Sequence, residues 1–306
     1  MHRPTFFNNL RRFRNNHPRT VVSLCLVLCG IAGRVGPASG QDPVEIYRTE
    51  QSDTARDNKT AIRALMIAGG CCHDYASQTG IVREHLDATE RPIVWTILRY
   101  GSTRDIYADV YRSGNWIDDY DIVIHNECFG GVDDPKFIDG IVDGHLKRGI
   151  PAIFLHCSMH SYRNADNADR WRQLVGVTSR RHERSKGPIE LKISDGMSDD
   201  AIAKALGSSW TTPNGELYLI EKVWPTTEVI ATAHSTETDS RHPVIWRAIH
   251  NADSADEPND GSKNDSDRGV PTRVFATTLG HHNETMAAQP YGAMLRSAWD
   301  WCLQGP

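Results

Sequence analysis

The sequence predicts an α/β protein built on a mostly parallel sheet flanked by helices, and three observations predict it. Short continuous apolar runs, bounded by glycine or by polar turns, recur through the first half of the chain. Segments with helical apolar spacing separate several of them, giving the order β-α-β-β-α-β of parallel strands with crossover helices. After Trp171 the runs shorten and crowd together, which adds β-hairpins to the sheet.

Residues 1–40 carry Arg3, Arg11, Arg12, Arg14, Arg19 and Arg34 and no acidic residue. The apolar stretch Val21 to Gly33 is too short for the roughly 20 residues that cross a bilayer as a helix. With Ala38-Ser39-Gly40 behind it, the segment reads as a secretory signal cleaved before Gln41, an uncleaved anchor being the alternative. The expected location is therefore periplasmic or extracellular. Residues 41–60 are polar and aperiodic and read as a linker to a single domain over 61–306.

Within that domain, Ile62 to Ala68 followed by Gly69-Gly70 suits a strand covered on both faces. Gln78 to Ala88 has the spacing of a helix, and Ile93 to Leu98 is a second strand. Asp121 to His125 is a third, Phe137 to Leu146 a helix, and Ala152 to Leu155 a fourth strand. Shorter strands are expected at 189–193, 217–223, 228–233, 243–248 and 273–279, and a terminal helix at 291–303. Residues 251–269 are acidic and lack aliphatic bulk, so burial cannot offset ordering entropy, and a flexible surface insertion is expected. An acidic calcium loop is the alternative there, but the DxDxDG spacing is missing.

Composition excludes several classes. With 39% apolar and 24% charged residues, the chain is neither collagen-like nor mostly disordered. The formal charge of −5 becomes −11 once the six N-terminal arginines are removed, which argues against nucleic acid or an anionic membrane as partner. Beyond residue 40 the cysteines are 71, 72, 128, 157 and 302; the odd count and the absence of a CxxC pair exclude a stapled miniature scaffold and a zinc knuckle, while one or two bridges stay open. Oligomeric state is not legible.

Ligands of open α/β sheets sit outside the carboxyl ends of the strands. The first strand ends in Gly-Gly-Cys-Cys-His73-Asp74, the third near His125-Asn126-Glu127, and the fourth in His156-Cys157. A late strand ends in Leu279-Gly280-His281-His282. Polar clusters thus collect at one predicted edge.

The same residues carry a resemblance. Gly69-Gly70 with His73-Asp74, the run YDIVIHN, His156, Trp171 with Leu174-Val175-Gly176, His182, Glu216-Leu217-Tyr218, His242 to Trp246, and Thr277 to His281 resemble the ThuA-like family, named for trehalose utilisation. The resemblance implies a flavodoxin-like, class I glutamine amidotransferase-like sheet and a role in handling disaccharides or keto-sugars. It implies His73, His156, His281 and Glu216 as catalytic residues, with Asp74, His182 and Tyr218 binding substrate. His156 would stand at the elbow where the amidotransferases carry a nucleophilic Cys. This shifts the expected chemistry toward acid–base work, with Glu216 as base, or toward ligand binding. Asp74 would orient His73 or cap a helix. Of His281 and His282, adjacent on an extended segment, only one should face the pocket.

Three imidazoles suffice for a catalytic zinc site with an open position, but no spacing here demands a metal, so the cofactor is left open with a divalent ion as one choice. Two other readings use the same edge. One is a non-catalytic sugar-binding module; the other is a Cys157-dependent hydrolase with His282 and Glu284.

Overall fold

Apolar residues fill Ala64 to Ala68 with almost no surface left in water, Arg63 before them being exposed, which demands covering layers on both faces. The computed structural model describes residues 40–49, 60–251 and 270–304. The expected export signal (except Gly40) and the acidic insertion (except Asn251) lie outside these residues. Strands β1 (Glu45–Arg48), β2 (Ile62–Gly70), β3 (Ile93–Arg99), β4 (Ile122–Cys128) and β5 (Ala152–Leu155) form the first half, with helices α1 (Tyr75–Asp87) and α2 (Pro135–Arg148). The second half adds α3 (Ala168–Val175), β6 (Val177–His182), β7 (Leu191–Ile193), α4 (Ala201–Leu206), β8 (Tyr218–Val223) and β9 (Thr227–Ser235). It closes with β10 (Ser240–His250), β11 (Thr272–Thr277), α5 (Asn283–Ala287) and α6 (Gln289–Cys302).

Among the described residues one nine-stranded sheet runs β1-β3-β2-β4-β5-β11-β10-β9-β7, and β6 pairs with β8 in a separate antiparallel ladder. The contiguous strands β3-β2-β4-β5-β11 are mutually parallel, as expected. The strands beyond β11 are antiparallel hairpin additions. Two apolar layers cover the sheet. One packs α1, α4 and α6 through Val82, Ile202 and Trp299, the other α2 and α3 through Ile141 and Trp171.

The polar segment 41–60, read as an aperiodic linker, is corrected at four positions: Glu45–Arg48 pair antiparallel with β3 as an edge strand. All four side chains are exposed, so the strand is held by its backbone ladder and leaves no hydrophobic alternation in the sequence. Helices α3 and α4 were also unforeseen. Each is short, and α4 is started by Asp200, whose carboxylate accepts from the Ile202 and Ala203 amides.

Candidate functional site

The carboxyl ends of β2, β5 and β11 bring three imidazoles together. β2 leaves the sheet through Gly70 at φ 93°, where an added Cβ would lie 2.3 Å from the Cys128 carbonyl oxygen, and His73 follows on the turn. β5 breaks at His156, which takes φ 43° and opens a 3₁₀ turn over His156–His160. This non-glycine residue in the left-handed region is the sharp elbow expected after the fourth strand. β11 runs into Gly280 at φ 115°, and the bend delivers His281. Gln78 on α1 clamps that bend by donating from Nε2 to the Gly280 carbonyl at 3.1 Å. Glu216 comes from the loop before β8 and is 5% exposed.

The donor atoms converge. His73 Nε2 is 2.9 Å from His281 Nδ1, and His281 Nδ1 is 3.3 Å from His156 Nε2. Glu216 Oε2 lies 3.3 Å from His281 Nδ1 and 3.4 Å from His156 Nε2. One donor atom from each of the four side chains lies within 4.8 Å of every other. Ligands about 2.0–2.1 Å from a tetrahedral ion stand about 3.4 Å apart, so most of these separations are those of a metal's coordination edges.

Hydrogen-bond accounting fixes two of the tautomers. His156 Nδ1 donates to the Thr278 carbonyl at 2.5 Å, which leaves Nε2 bare and turned inward. Tyr75 donates its hydroxyl hydrogen to the Cys71 carbonyl at 3.1 Å, so its oxygen accepts from His73 Nδ1 at 3.2 Å and His73 Nε2 is bare as well. Two lone pairs and a carboxylate oxygen therefore face one small space. Orientation of a ligating imidazole by a carbonyl or hydroxyl on its outer nitrogen is the usual support of a metal site.

Electrostatics point the same way. Burial, with His156 and His281 as neighbours, pushes His73 down to about 2, and burial lowers His156 despite its bonds to Glu216 and Thr278. Burial by itself would raise Glu216, but hydrogen bonding and charge interaction with His156 and His281 hold it well below the usual carboxylate range. At neutral pH the set is two neutral imidazoles and an ionised carboxylate, the protonation that metal ligands need. So weak a base as this carboxylate suits ligation better than proton abstraction.

Around this core, Tyr218 places its hydroxyl 3.3 Å from His156 Nε2, and His182 Nε2 is 3.4 Å from Glu216 Oε1. Asp74 does not orient His73. It caps α1 by accepting from the Ser77 amide at 3.2 Å, and it accepts from Asn283 at 2.8 Å, while lining the mouth of the cavity. That cavity, of about 810 Å³, is lined by His73, Asp74, Asn214, His281 and His282. The expectation that only one of His281 and His282 faces it is corrected. The chain bends at His281 and His282 themselves instead of running extended, and both rings line the cavity with centroids 4.4 Å apart. His282 Nδ1 is buried without a partner.

Residues 63–302 match the sequence model of a family described as ThuA, trehalose utilisation. The chain belongs to the ThuA family. Among solved structures it is similar to a ThuA-like protein from Parabacteroides merdae ATCC 43184 (14% identity, 79% of this chain and 90% of that one, TM-score 0.54). It is also similar to one from Bacteroides uniformis ATCC 8492 (12% identity, 79% and 91% covered, TM-score 0.51). No curated protein sequence matches the chain. The ThuA match and these neighbours bear out the resemblance and the α/β sheet read from the sequence.

Two residues of this ThuA site escaped sequence reading. Lys186 Nζ lies 2.8 Å from His281 Nε2 and 3.4 Å from Glu216 Oε1. His160 stacks on Tyr218 with centroids 4.3 Å apart and planes 4° apart. The only signal for His160 was its place four residues after His156, one turn along the elbow. Cys157 hydrogen-bonds to Cys128 and Tyr218 rather than to an imidazole. Its interaction with Cys128, then burial, push its thiol up against the opposing effect of Tyr218, which weakens the nucleophile reading.

Proposed function

We propose that this ThuA-family protein is a carbohydrate-acting enzyme that hydrolyses or eliminates at a glycosidic linkage of a disaccharide or its keto form. His73, His156, His281 and Glu216 hold a divalent first-row metal ion at its centre. The convergence of three ring nitrogens and one carboxylate oxygen within 4.8 Å supports this reading above every other observation. When bound, such an ion polarises a sugar hydroxyl or carbonyl oxygen and stabilises the negative charge that develops there. His156 is locked by its bond to Thr278, so it sets the geometry of the site rather than moving a proton. His282, whose ring lines the cavity wall outside the four-residue cluster, is the group placed to take or return a proton on substrate. Asp74, Asn214 and Asn283 give the mouth the acceptors and amides that sugar hydroxyls need.

The test is metal content and turnover measured together. Chelator-treated protein reloaded with zinc, cobalt, manganese or nickel is assayed on disaccharides and their 3-keto forms. Tight binding of one ion, turnover only when loaded, and loss of both in His156→Ala and His281→Ala are expected. Undiminished turnover by the metal-free protein overturns the metal, and sugar binding without turnover by any loaded form leaves a binding module. We also place the protein outside the cytoplasm, on the strength of its basic and apolar start, and cell fractionation checks that placement.

A further inference from the structure

Four cysteines lie in a row behind the imidazoles. Cys71 and Cys72, on the turn after β2, are joined to each other. Cys128 ends β4 with its sulfur 3.9 Å from Cys71 Sγ, about van der Waals contact. Cys157, in the turn after β5, packs with Cys128 in one small buried cluster. Cys128 and Cys157 are buried, at 5% and 8% exposure, whereas Cys72 is exposed and the cavity reaches it. An accessible disulfide therefore touches a buried pair of thiols.

The charges around the row are those that thiol chemistry uses. Arg104 sets Nε 3.1 Å from Cys71 Sγ, and its terminal nitrogen is 3.8 Å from Cys72 Sγ. The hydrogen bond from Cys157, then the Arg163 and Arg104 charges, hold the Cys128 thiol below the usual thiol range against the opposing effect of burial. Cys128, the free thiol that touches the disulfide, is the attacking sulfur, and a guanidinium stands beside the sulfurs that leave.

We propose that Cys71, Cys72, Cys128 and Cys157 form a thiol–disulfide exchange centre that passes a disulfide between the exposed vicinal pair and the buried pair. The Cys128 thiolate attacks Cys71 Sγ; the Cys71–Cys72 bond breaks, the Cys71–Cys128 bond forms, and Cys72 leaves as a thiolate. Cys157, surrendering its proton, then attacks Cys128 Sγ, forms Cys128–Cys157 and releases Cys71 as a thiolate. The two protons lost by the inner pair end on Cys71 and Cys72, and two electrons move from the inner pair to the outer one. No outside oxidant enters this step. The outer dithiol so formed is the one a disulfide substrate meets from solvent, and the outer disulfide is the one a dithiol reductant meets. Each end of the relay is one peptide bond from a proposed ligand, since His73 follows Cys72 and His156 precedes Cys157.

The test maps disulfides and needs neither metal nor sugar, so it stands or falls apart from the proposed activity. Full-length protein is taken through graded thiol–disulfide buffers, quenched with acid, alkylated and digested with trypsin for mass spectrometry. The wild type is expected to show peptides joined through Cys128–Cys157 as well as the Cys71–Cys72 loop. In Cys72→Ala, treated with diamide, Cys71 has lost its neighbour and is expected to join Cys128 as the main intramolecular product. Circular dichroism checks that this variant is folded, and the wild-type map decides alone if it is not. Cys128 and Cys157 alkylated as free thiols under every buffer that leaves the wild type folded, or a folded Cys72→Ala without the Cys71–Cys128 link, overturns the proposal.

Discussion

Replacing Lys186 with methionine should tighten metal binding at the His73, His156, Glu216 and His281 cluster by roughly 5- to 30-fold, an unusual direction for removing a residue that touches two of the four groups. An ammonium has three donors and no acceptor. Placed 2.8 Å from His281 Nε2, it makes that nitrogen an acceptor and puts the ring's hydrogen on Nδ1, the atom that faces the other donors. Its contact with Glu216 Oε1 at 3.4 Å also draws on the carboxylate an ion would use. The ion would sit about 7 Å from Nζ, allowing for the ring and a metal–nitrogen bond of about 2 Å. Repulsion between one charge and a dication at that range is about 1–2 kcal/mol at an effective dielectric of about 40–80. A dielectric near that of water is appropriate because the lysine side chain is 44% exposed.

Methionine keeps most of the aliphatic stem, so the wall beside His281 is preserved while charge and donors are lost. Competition against a chromophoric chelator at low ionic strength reads the affinity directly. Raising the salt should shrink the gap between the two proteins, because a partly exposed charge is screened. Equal or weaker binding by Lys186→Met, in protein with an unchanged melting temperature, refutes both the tautomer assignment and the placement of the ion.

Gly280→Ala, at φ 115° with an added Cβ 3.2 Å from the Tyr291 hydroxyl, should cost about 1–3 kcal/mol and displace His281; metal stoichiometry well below one in folded protein is the expected result. Glu127 is fully buried, accepting from His125 Nδ1 at 2.8 Å and from the Tyr111 hydroxyl at 3.0 Å. Glu127→Gln should therefore cost about 3–5 kcal/mol, a fall in melting temperature of roughly 6–20 °C that calorimetry would register. Burial pushes His145 and His160 each down to about 3, while the unfolded chain binds their protons near 6.5. The unfolded state then holds more protons between those values, so stability is full above about pH 6.5 and falls as pH drops toward 3, by up to about 1.4 kcal/mol per unit for each ring. Urea unfolding of metal-free protein at pH 7 and pH 5 should show a loss of at least about 2 kcal/mol, and a flat profile contradicts it.

What could be read in advance followed from one geometric rule. Parallel strands place their carboxyl ends along one edge, so histidines close behind β2, β5 and β11 must lie near each other however far apart they stand in the chain. His73, His156 and His281 were legible for that reason. Glu216 was not, because the loop before β8 belongs to the hairpin half of the molecule and only the family pattern pointed to it. Lys186 and His160 depended on side-chain direction after a bend, where neither the period of a helix nor that of a strand applies. The same failure misplaced His282, since the bend at residues 281 and 282 removes the alternation that an extended segment would impose.

Those bends are themselves an argument about function. Each of the three imidazoles stands at or just beyond a residue with positive φ: Gly70 and Cys72 before His73, His156 itself, and Gly280 before His281. Glycine accepts that geometry without steric cost, but His156 and Cys72 do not, and each gives up about 1–2 kcal/mol to hold it. A glycine at 156 would relieve the backbone and lose only a side chain. The strain is retained where the ring supplies a bare nitrogen to the cluster and an N–H to Thr278. An elbow that exists to present one atom makes sense only if something is to be held there. It also explains why the cluster is stiff from the outside inward, with Tyr75 behind His73, Thr278 behind His156 and Gln78 behind the turn carrying His281. Such rigidity costs little when the donors are already set for a cation and would be wasted on groups that swing to move protons, so His282 is the better proton carrier and the cluster the better holder.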